Sequence, residues 1–167
     1  VTTKQVPPAV PPMVEITPPP ASSAPAAPAA VPPAPRPVPR YTYLSPAPRA
    51  AGDHAAAERT FTQAVEAHQA GRLTDALRLY HAATQTDPAM FEAYYNLGLA
   101  ASQAGQTARS LTAYEQALAL QPAAAEARYN FALGLKQAGY PADAANELNR
   151  VLAAHPEHTN ARIALAN

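Results

Sequence analysis

The sequence predicts an all-α solenoid built from pairs of helices, preceded by a proline-rich arm. The first observation is that Pro88, Pro122 and Pro156 stand 34 residues apart. The second is that a glycine, a small residue and a large apolar residue precede each of these prolines at constant distances. The third is that most of the other prolines lie in the first 50 residues. Repeated units of this length pack on their neighbours in a row, which is how a solenoid is built.

Residues 1–50 are the predicted arm. They hold sixteen of the twenty prolines and show no helix or strand pattern. A segment of this composition cannot bury enough apolar surface to fold, so an extended polyproline II or disordered chain is expected. The arm has four Lys or Arg residues and one acidic residue, whereas residues 51–167 have eight Lys or Arg residues and eleven acidic residues. The two parts therefore carry net charges of opposite sign.

Residues 51–167 are the predicted repeat domain. The period divides them into units at 57–90, 91–124 and 125–158, and residues 159–167 begin a fourth unit. Within each unit, apolar residues recur at intervals of three and four, which places them on one face of a helix. Each unit is therefore expected to be two helices packed against each other.

Glycines and prolines set the ends of the predicted helices. Each unit has a glycine near its middle, namely Gly71, Gly105 and Gly139, where the first helix is expected to end in the left-handed conformation. The prolines at the 34-residue period stop the second helix, because proline cannot continue the hydrogen-bond ladder. Pro141 fits the first turn of a helix, where its missing N–H would be unpaired in any case.

The motif of the second unit resembles the tetratricopeptide repeat. Its matching residues are Tyr94, Leu97, Gly98, Gly105, Tyr114, Ala117 and Pro122. The third unit departs from the motif at Arg128 and Phe131, and the first unit departs at Thr60 and Gln63. The resemblance implies a right-handed superhelix whose first helices line a concave groove. It also implies a role in binding other proteins without catalysis.

In this family equivalent positions of the first helices stack into rows along the groove. The implied groove residues are Glu58, Phe61, Thr62, Glu92, Tyr95, Asn96, Leu99, Gln103, Glu126, Tyr129, Asn130, Leu133 and Gln137. Asparagine side chains can donate to and accept from a peptide backbone, and aromatic faces can stack on proline rings or cations. The expected ligand is therefore an extended protein segment.

The asparagine pair and the acidic row are each open to two interpretations. Asn96 and Asn130 resemble the asparagine ladder of the O-linked N-acetylglucosamine transferases, or asparagine is simply common at this position. The glutamates either attract a basic ligand or form a solvated helix face. The subclass that grips the acidic tails of heat-shock chaperones is excluded, because it requires lysines and arginines that this groove lacks.

The acidic and aromatic rows favour a ligand with proline and positive charge, and the arm has both. Its candidate ligand residues are Pro35, Arg36, Pro37, Pro39 and Arg40. We therefore expect a non-enzymatic interaction scaffold. Alternatively, the chain is a self-assembling fibre subunit whose arm docks on a neighbouring copy, or it is an accessory region of a larger enzyme. For the arm itself, the alternative to a ligand is a simple spacer. The apolar run at 41–44 is expected to dock on the first repeat or to anchor a partner.

Other functional classes find little support in the sequence. The chain has no cysteine, no clustered Lys and Arg for nucleic acid, no apolar run long enough to span a membrane, and no cofactor-binding motif. His155 and His158 have metal-like spacing, but Pro156 breaks the helix that would align them, so no metal site is predicted.

The chain starts at Val1 and its arm composition favours an extracytoplasmic location, whether periplasmic, cell-surface or secreted. Candidate O-glycosylation sites in the arm are Thr17, Ser22, Ser23 and Ser45.

Overall fold

A computed structural model describes residues 38–166, which contain seven α-helices and no β-strand. Each helix packs on the next one along the chain. The helices are α1 (His54–Gln69), α2 (Leu73–Thr86), α3 (Phe91–Gln103), α4 (Thr107–Leu120), α5 (Ala125–Gln137), α6 (Pro141–Ala154) and α7 (Thr159–Ala166). The predicted all-α solenoid of helix pairs is therefore confirmed for this part of the chain. None of these helices is both long enough and apolar enough to cross a membrane.

The first helix of each pair ends two residues before a glycine in the left-handed conformation, as the sequence predicts. Gly71, Gly105 and Gly139 have φ values of 73°, 70° and 86°, in the left-handed region. After α1, the N–H of Gly71 donates to the carbonyl of His68 at 3.0 Å, and the N–H of Arg72 donates to that of Ala67 at 2.9 Å. This pair of hydrogen bonds satisfies the last carbonyls of α1 and starts the turn into α2.

The second helix of each pair stops two residues before the repeated proline. α2, α4 and α6 end at positions 86, 120 and 154, and the residue that follows each has a φ between −130° and −135°. Backbone this extended is favoured immediately before proline, where the helical region is restricted. Pro141 is the first residue of α6, as predicted.

Small side chains allow the two helices of a pair to approach closely. In the second unit the hydroxyl of Ser110 on α4 donates to the carbonyl of Gly98 on α3 at 2.9 Å. A Cβ atom added at Gly98 would lie 2.6 Å from the ring of Tyr114, which is 1% exposed. In this unit the lack of a side chain at Gly98 therefore lets the ring of Tyr114 lie close to α3.

The fourth unit is represented by α7, which covers the end of the third. Ala161 is fully buried against Leu148 and Val151 of α6. His158 caps this helix, because its Nδ1 accepts a hydrogen bond from the N–H of Ala161 at 3.1 Å. Ile163 is 55% exposed, so only one side of α7 is packed in the described part of the chain.

Residues 38–53, which we call the N-terminal segment, have no regular secondary structure but contact the helices. The segment passes α6 and α4 and then reaches the end of α2, where the N–H of Asp53 donates to the carbonyl of Thr86 at 3.1 Å. The side chain of Asp53 then accepts from the N–H of Ala56 and caps α1. The expectation that positions 41–44 dock on the first repeat is wrong, because they contact the second and third repeats.

Candidate peptide-binding surfaces

All the predicted groove residues lie on α1, α3 or α5, and none of them is fully buried. We call the surface that they share the first-helix face. The glutamates at 58, 92 and 126 are exposed, whereas the aromatic residues at 61, 95 and 129 are half-buried. The acidic row therefore meets solvent, and the aromatic rings form part of the packing beneath it.

Side chains of successive repeats touch one another along the first-helix face. The Nε2 of His68 on α1 lies 2.9 Å from the Oε1 of Gln103 on α3. The Nδ2 of Asn130 of α5 donates to the hydroxyl of Tyr95 of α3 at 3.2 Å. The ring of Tyr129 packs on that of His158 with centroids 5.2 Å apart. These contacts join α1, α3, α5 and the start of α7 into one surface.

The polar row of the first-helix face, at positions 62, 96 and 130, presents hydrogen-bond acceptors to a ligand. The Nδ2 of Asn96 donates to the carbonyl of Glu92 in its own helix at 2.8 Å, so its Oδ1 remains to accept from a ligand. The Oδ1 of Asn130 remains in the same way, because Nδ2 is directed at Tyr95. Thr62, at the equivalent position of α1, donates to the carbonyl of Glu58. Together with the exposed glutamates, these atoms favour a ligand that brings N–H donors or positive charge.

A second binding arrangement lies between α4 and α6, where the N-terminal segment is docked. Asp143 of α6 is 1% exposed and accepts from Arg40 Nε at 3.0 Å, from Arg40 Nη2 at 2.8 Å and from the N–H of Tyr41 at 2.8 Å. The hydrogen bond and charge of Arg40 hold the pKa of Asp143 below its ordinary value of 3.8, and the N–H of Tyr41 acts in the same direction. Asp143 therefore binds the segment through one side chain and one backbone group.

Two further buried carboxylates contact the same segment. Glu147 of α6 accepts from the hydroxyl of Tyr43 at 3.0 Å, from Arg128 at 2.7 Å and from Arg150 at 3.1 Å. Glu115 of α4 accepts from the N–H of residue 44 at 3.0 Å, and its burial raises its pKa. We call this site, with its carboxylates at 115, 143 and 147, the α4/α6 groove.

Aromatic contacts fix the segment between these carboxylates. The ring of Tyr41 packs edge-on against Phe131 of α5 and Tyr140, with centroids 5.8 Å and 5.4 Å apart. Burial raises the pKa of Tyr41 to about 12. Tyr43 also packs against Phe131, at 5.9 Å. Ser45, which lines the same groove, has a φ of 45°, unusual for a residue with a side chain.

Docking of the predicted arm ligand on a neighbouring copy stays a prediction, and the structure shows only where Arg40 and Pro39 lie in one chain. Arg40 contacts Asp143 on α6 of its own chain and not the glutamates of the first-helix face. Pro39 and Ser45 are exposed. The candidate positions Pro35, Arg36, Pro37, Thr17, Ser22 and Ser23 lie outside the described residues.

Sequence reasoning missed the buried carboxylates of the α4/α6 groove. One signal was available, since Glu147 stands where the earlier units have Leu79 and Ala113. An acid at an apolar position of a repeat points to a special contact, because burying a carboxylate requires compensating donors. Between residues 38 and 166, no three His, Asp or Glu side chains are grouped so that they could hold a metal ion.

Comparison with known proteins identifies the repeats. Residues 66–105 match the family described as TPR repeat, and residues 91–124 match the family described as Tetratricopeptide repeat. No curated protein sequence matches the chain.

Solved structures resemble the whole helical part. The first TPR of Spaghetti (RPAP3) bound to HSP90 peptide SRMEEVD is 18% identical, covers 71% of this chain and 94% of that one, and has a TM-score of 0.67. A second structure is the type III secretion chaperone SycD of Yersinia enterocolitica in complex with a peptide of the translocator YopD. It is 18% identical with a TM-score of 0.63, and the match covers 67% of this chain and 91% of SycD. The O-GlcNAc transferase of Thermobaculum terrenum, as the K341M mutant, is 26% identical with a TM-score of 0.59, and the match covers 70% of this chain but 22% of that one.

The family matches and the fold agree with the residue motif of the second unit. Each helix pair of the structure corresponds to one 34-residue unit, with its glycine and proline at the ends of helices. The chain is a tetratricopeptide-repeat protein.

Proposed function

We propose that this chain is a non-enzymatic protein-interaction scaffold whose first-helix face binds an extended segment with positive charge. The observation that carries the proposal is the exposed acidic row, Glu58, Glu92 and Glu126, above half-buried aromatic residues on one continuous surface. Two similar structures are tetratricopeptide-repeat or chaperone proteins in complex with peptides, which supports peptide binding as the general role.

The charge of the face decides which peptide is expected. The peptide in the RPAP3 complex has two adjacent glutamates and a terminal aspartate, so it is acidic. The first-helix face here has exposed glutamates and acceptor oxygens, which would repel such a sequence and attract arginine or lysine. The ligand should therefore differ in charge from that peptide although the fold is the same.

A charge-reversal experiment tests this proposal. The probe is a labelled peptide with the sequence of residues 32–40, Pro-Pro-Ala-Pro-Arg-Pro-Val-Pro-Arg, and binding to the full chain is followed by fluorescence polarisation. Glu92→Lys with Glu126→Lys should weaken binding at least about tenfold. The matched control is Glu66→Lys with Glu157→Lys, which makes the same change in net charge at exposed residues outside the predicted groove set. Equal affinities for the two double variants would contradict the proposal.

Self-assembly is the second candidate function, favoured by one specific observation. The structure shows that a segment of the N-terminal region docks on the helices through Arg40, Tyr41 and Tyr43. The same contacts made between chains would join copies in a chain or ring. Light scattering of the full chain over a wide concentration range tests this. The variant Asp143→Ala is measured beside it, because it removes the contacts with Arg40 and Tyr41. A monomer mass at every concentration would exclude assembly.

An accessory role in a larger enzyme is the third candidate. The resemblance to the Thermobaculum terrenum transferase covers only 22% of that protein, so the shared part is a minority of it. The catalytic role would then belong to a separate domain. The sequence of the complete parent gene product decides this, because the third candidate requires a catalytic domain in the same polypeptide.

A further inference from the structure

An open cavity of about 620 Å³ lies between α2 and α4, one repeat before the docked segment. It corresponds position by position to the α4/α6 groove, with a constant offset of 34 residues. The corresponding pairs are His81 and Glu115, Thr84 and Leu118, Gln85 and Ala119, Tyr94 and Arg128, Leu97 and Phe131, Ala113 and Glu147, and Gln116 and Arg150. We call it the α2/α4 groove.

At two equivalent positions an acidic residue of the α4/α6 groove is replaced by an arginine or a histidine in the α2/α4 groove. Asp143, which binds Arg40 in the α4/α6 groove, corresponds to Arg109 in the α2/α4 groove. The buried acid Glu115 corresponds to His81. Arg49 of the N-terminal segment also lines the α2/α4 groove. The lining residues, all within the described range 38–166, include two arginines and a histidine but no aspartate or glutamate.

The position of Arg109 suits it to bind a carboxylate. It is half-buried, and its Nη2 donates to the carbonyl of Leu77 at 3.3 Å while its Nη1 lies 3.4 Å from the Oε1 of Gln106. These contacts hold the planar guanidinium at the edge of the groove and leave others of its five N–H donors for a ligand. A held guanidinium binds carboxylates in a two-pronged geometry, at a lower entropic cost than a mobile one.

The α2/α4 groove leaves more open space than the α4/α6 groove, in which the N-terminal segment is docked. Leu97 and Ala113 occupy the places of Phe131 and Glu147, so the floor is apolar and the side chains are smaller. The volume is about 620 Å³, against about 220 Å³ for the space beside the docked segment. The rings of Tyr41 and Tyr43 fill the corresponding region in the α4/α6 groove.

We propose that the α2/α4 groove is a second peptide-binding site, which takes an extended acidic segment with an aromatic side chain from a partner protein. The carboxylate of the partner is held by Arg109 and Arg49, and the aromatic ring lies over Leu97 and Ala113. Residues 1–37 of this chain are the wrong ligand, because they have one acid, Glu15, and no aromatic residue. This site is on the second-helix side and is independent of the first-helix face.

The docked segment itself provides the test peptide. Residues 40–46 are Arg-Tyr-Thr-Tyr-Leu-Ser-Pro, so the probe is the labelled charge-reversed peptide Glu-Tyr-Thr-Tyr-Leu-Ser-Pro. Binding to the full chain is measured by fluorescence polarisation and located by amide NMR shifts at positions 108, 112 and 113. Saturable binding is expected, and Arg109→Glu should raise Kd at least about tenfold. Arg59→Glu, the same charge change at an exposed residue of α1, is the matched control and should leave Kd within about twofold.

Three results would overturn the proposal. They are absence of saturable binding up to about 1 mM, equal affinity for wild type and Arg109→Glu, and NMR shifts confined to another surface. Equally tight binding of the original Arg-Tyr-Thr-Tyr-Leu-Ser-Pro peptide in the α2/α4 groove would also refute the charge argument. If Arg109→Glu unfolds the protein, Arg109→Gln removes the same charge with a smaller perturbation. None of these results bears on the basic-peptide site, which uses a different probe and different variants.

Discussion

Asp143→Asn should release the N-terminal segment from the helices while leaving the solenoid folded. The carboxylate binds the N–H of Tyr41 at 2.8 Å and two nitrogens of Arg40, although Asp143 itself is 1% exposed. The side chain of Arg40 is 63% exposed, so its ion pair adds little in water. The magnitude is therefore worked from the N–H of Tyr41, because a hydrogen bond to a charged group contributes about 1.5–3 kcal/mol against about 0.5–1.5 kcal/mol for a neutral one.

The expected loss is the difference between these two values. Asparagine keeps one oxygen that can accept from Tyr41, so the docked state should lose about 1–1.5 kcal/mol, which raises the open population roughly five- to tenfold. The low pKa of Asp143 sets the pH range of this effect. A carboxyl group whose pKa is lowered by folding stabilises the folded state above its unfolded value of 3.8, and this is lost as the pH falls through the folded value. At pH 8 the full effect is present.

Limited proteolysis measures the open population directly. Trypsin cleaves after Arg40, and the cleavage rate follows the open fraction when opening is fast relative to cleavage. Mass spectrometry of the products should show cleavage after Arg40 roughly five to ten times faster in Asp143→Asn than in wild type. Asp75→Asn is the matched control, because position 75 is equivalent to 143 two repeats earlier and its ion pairs are long, at 3.8 Å and 3.9 Å. Equal rates in wild type and Asp143→Asn would refute the assignment of Asp143 as the anchor.

Two further predictions concern the packing and the titration of the helices. Gly98→Ala should lower the free energy of unfolding by about 1–3 kcal/mol, because the new methyl group overlaps the buried ring of Tyr114; an unchanged or higher midpoint in urea would show that α3 and α4 can separate at no cost. The pKa of His54 should lie above its ordinary 6.5, because its Nδ1 is 2.8 Å from Asp87, and Asp87→Asn should return it to that value in an NMR titration. The stabilisation of the folded state by this contact is present below pH 6.5 and is lost as the pH rises through the pKa of His54 in the folded state. A pKa of His54 that Asp87→Asn leaves unchanged would contradict the contact.

The helices could be predicted because their signals are local and repeated. Gly139 and Pro141 stand two residues apart, and each has a conformational preference that does not depend on distant residues. Three copies of the pattern also identify the positions that face neighbouring units, since equivalent residues occupy equivalent places. The rows of the first-helix face follow from this arithmetic, and the contact between Asn130 and Tyr95 agrees with it.

The docking of the N-terminal segment could not be predicted in the same way, because its contacts join distant parts of the sequence. Arg40 and Asp143 are 103 residues apart. Proximity along the chain suggested the first repeat as the docking site, but that repeat has His81 where the second has Glu115. The backbone N–H of residue 44 requires an acceptor, and the carboxylate of Glu115 is the group that provides it. The docking site is therefore decided by the three carboxylates of the α4/α6 groove and not by distance along the chain.

The two sides of the solenoid can be occupied at the same time, since they use different residues. The N-terminal segment contacts α4 and α6 through Asp143, Glu147 and Glu115, whereas the acidic row lies on α1, α3 and α5. A ligand on one side changes docking on the other only if it binds the docked and open states with different affinities. Asp143→Asn should therefore leave the affinity of a basic peptide for the first-helix face unchanged. A shift in that affinity would mean that the packing of α5 between the two sides transmits the state of the segment, with Phe131 as the residue that contacts it.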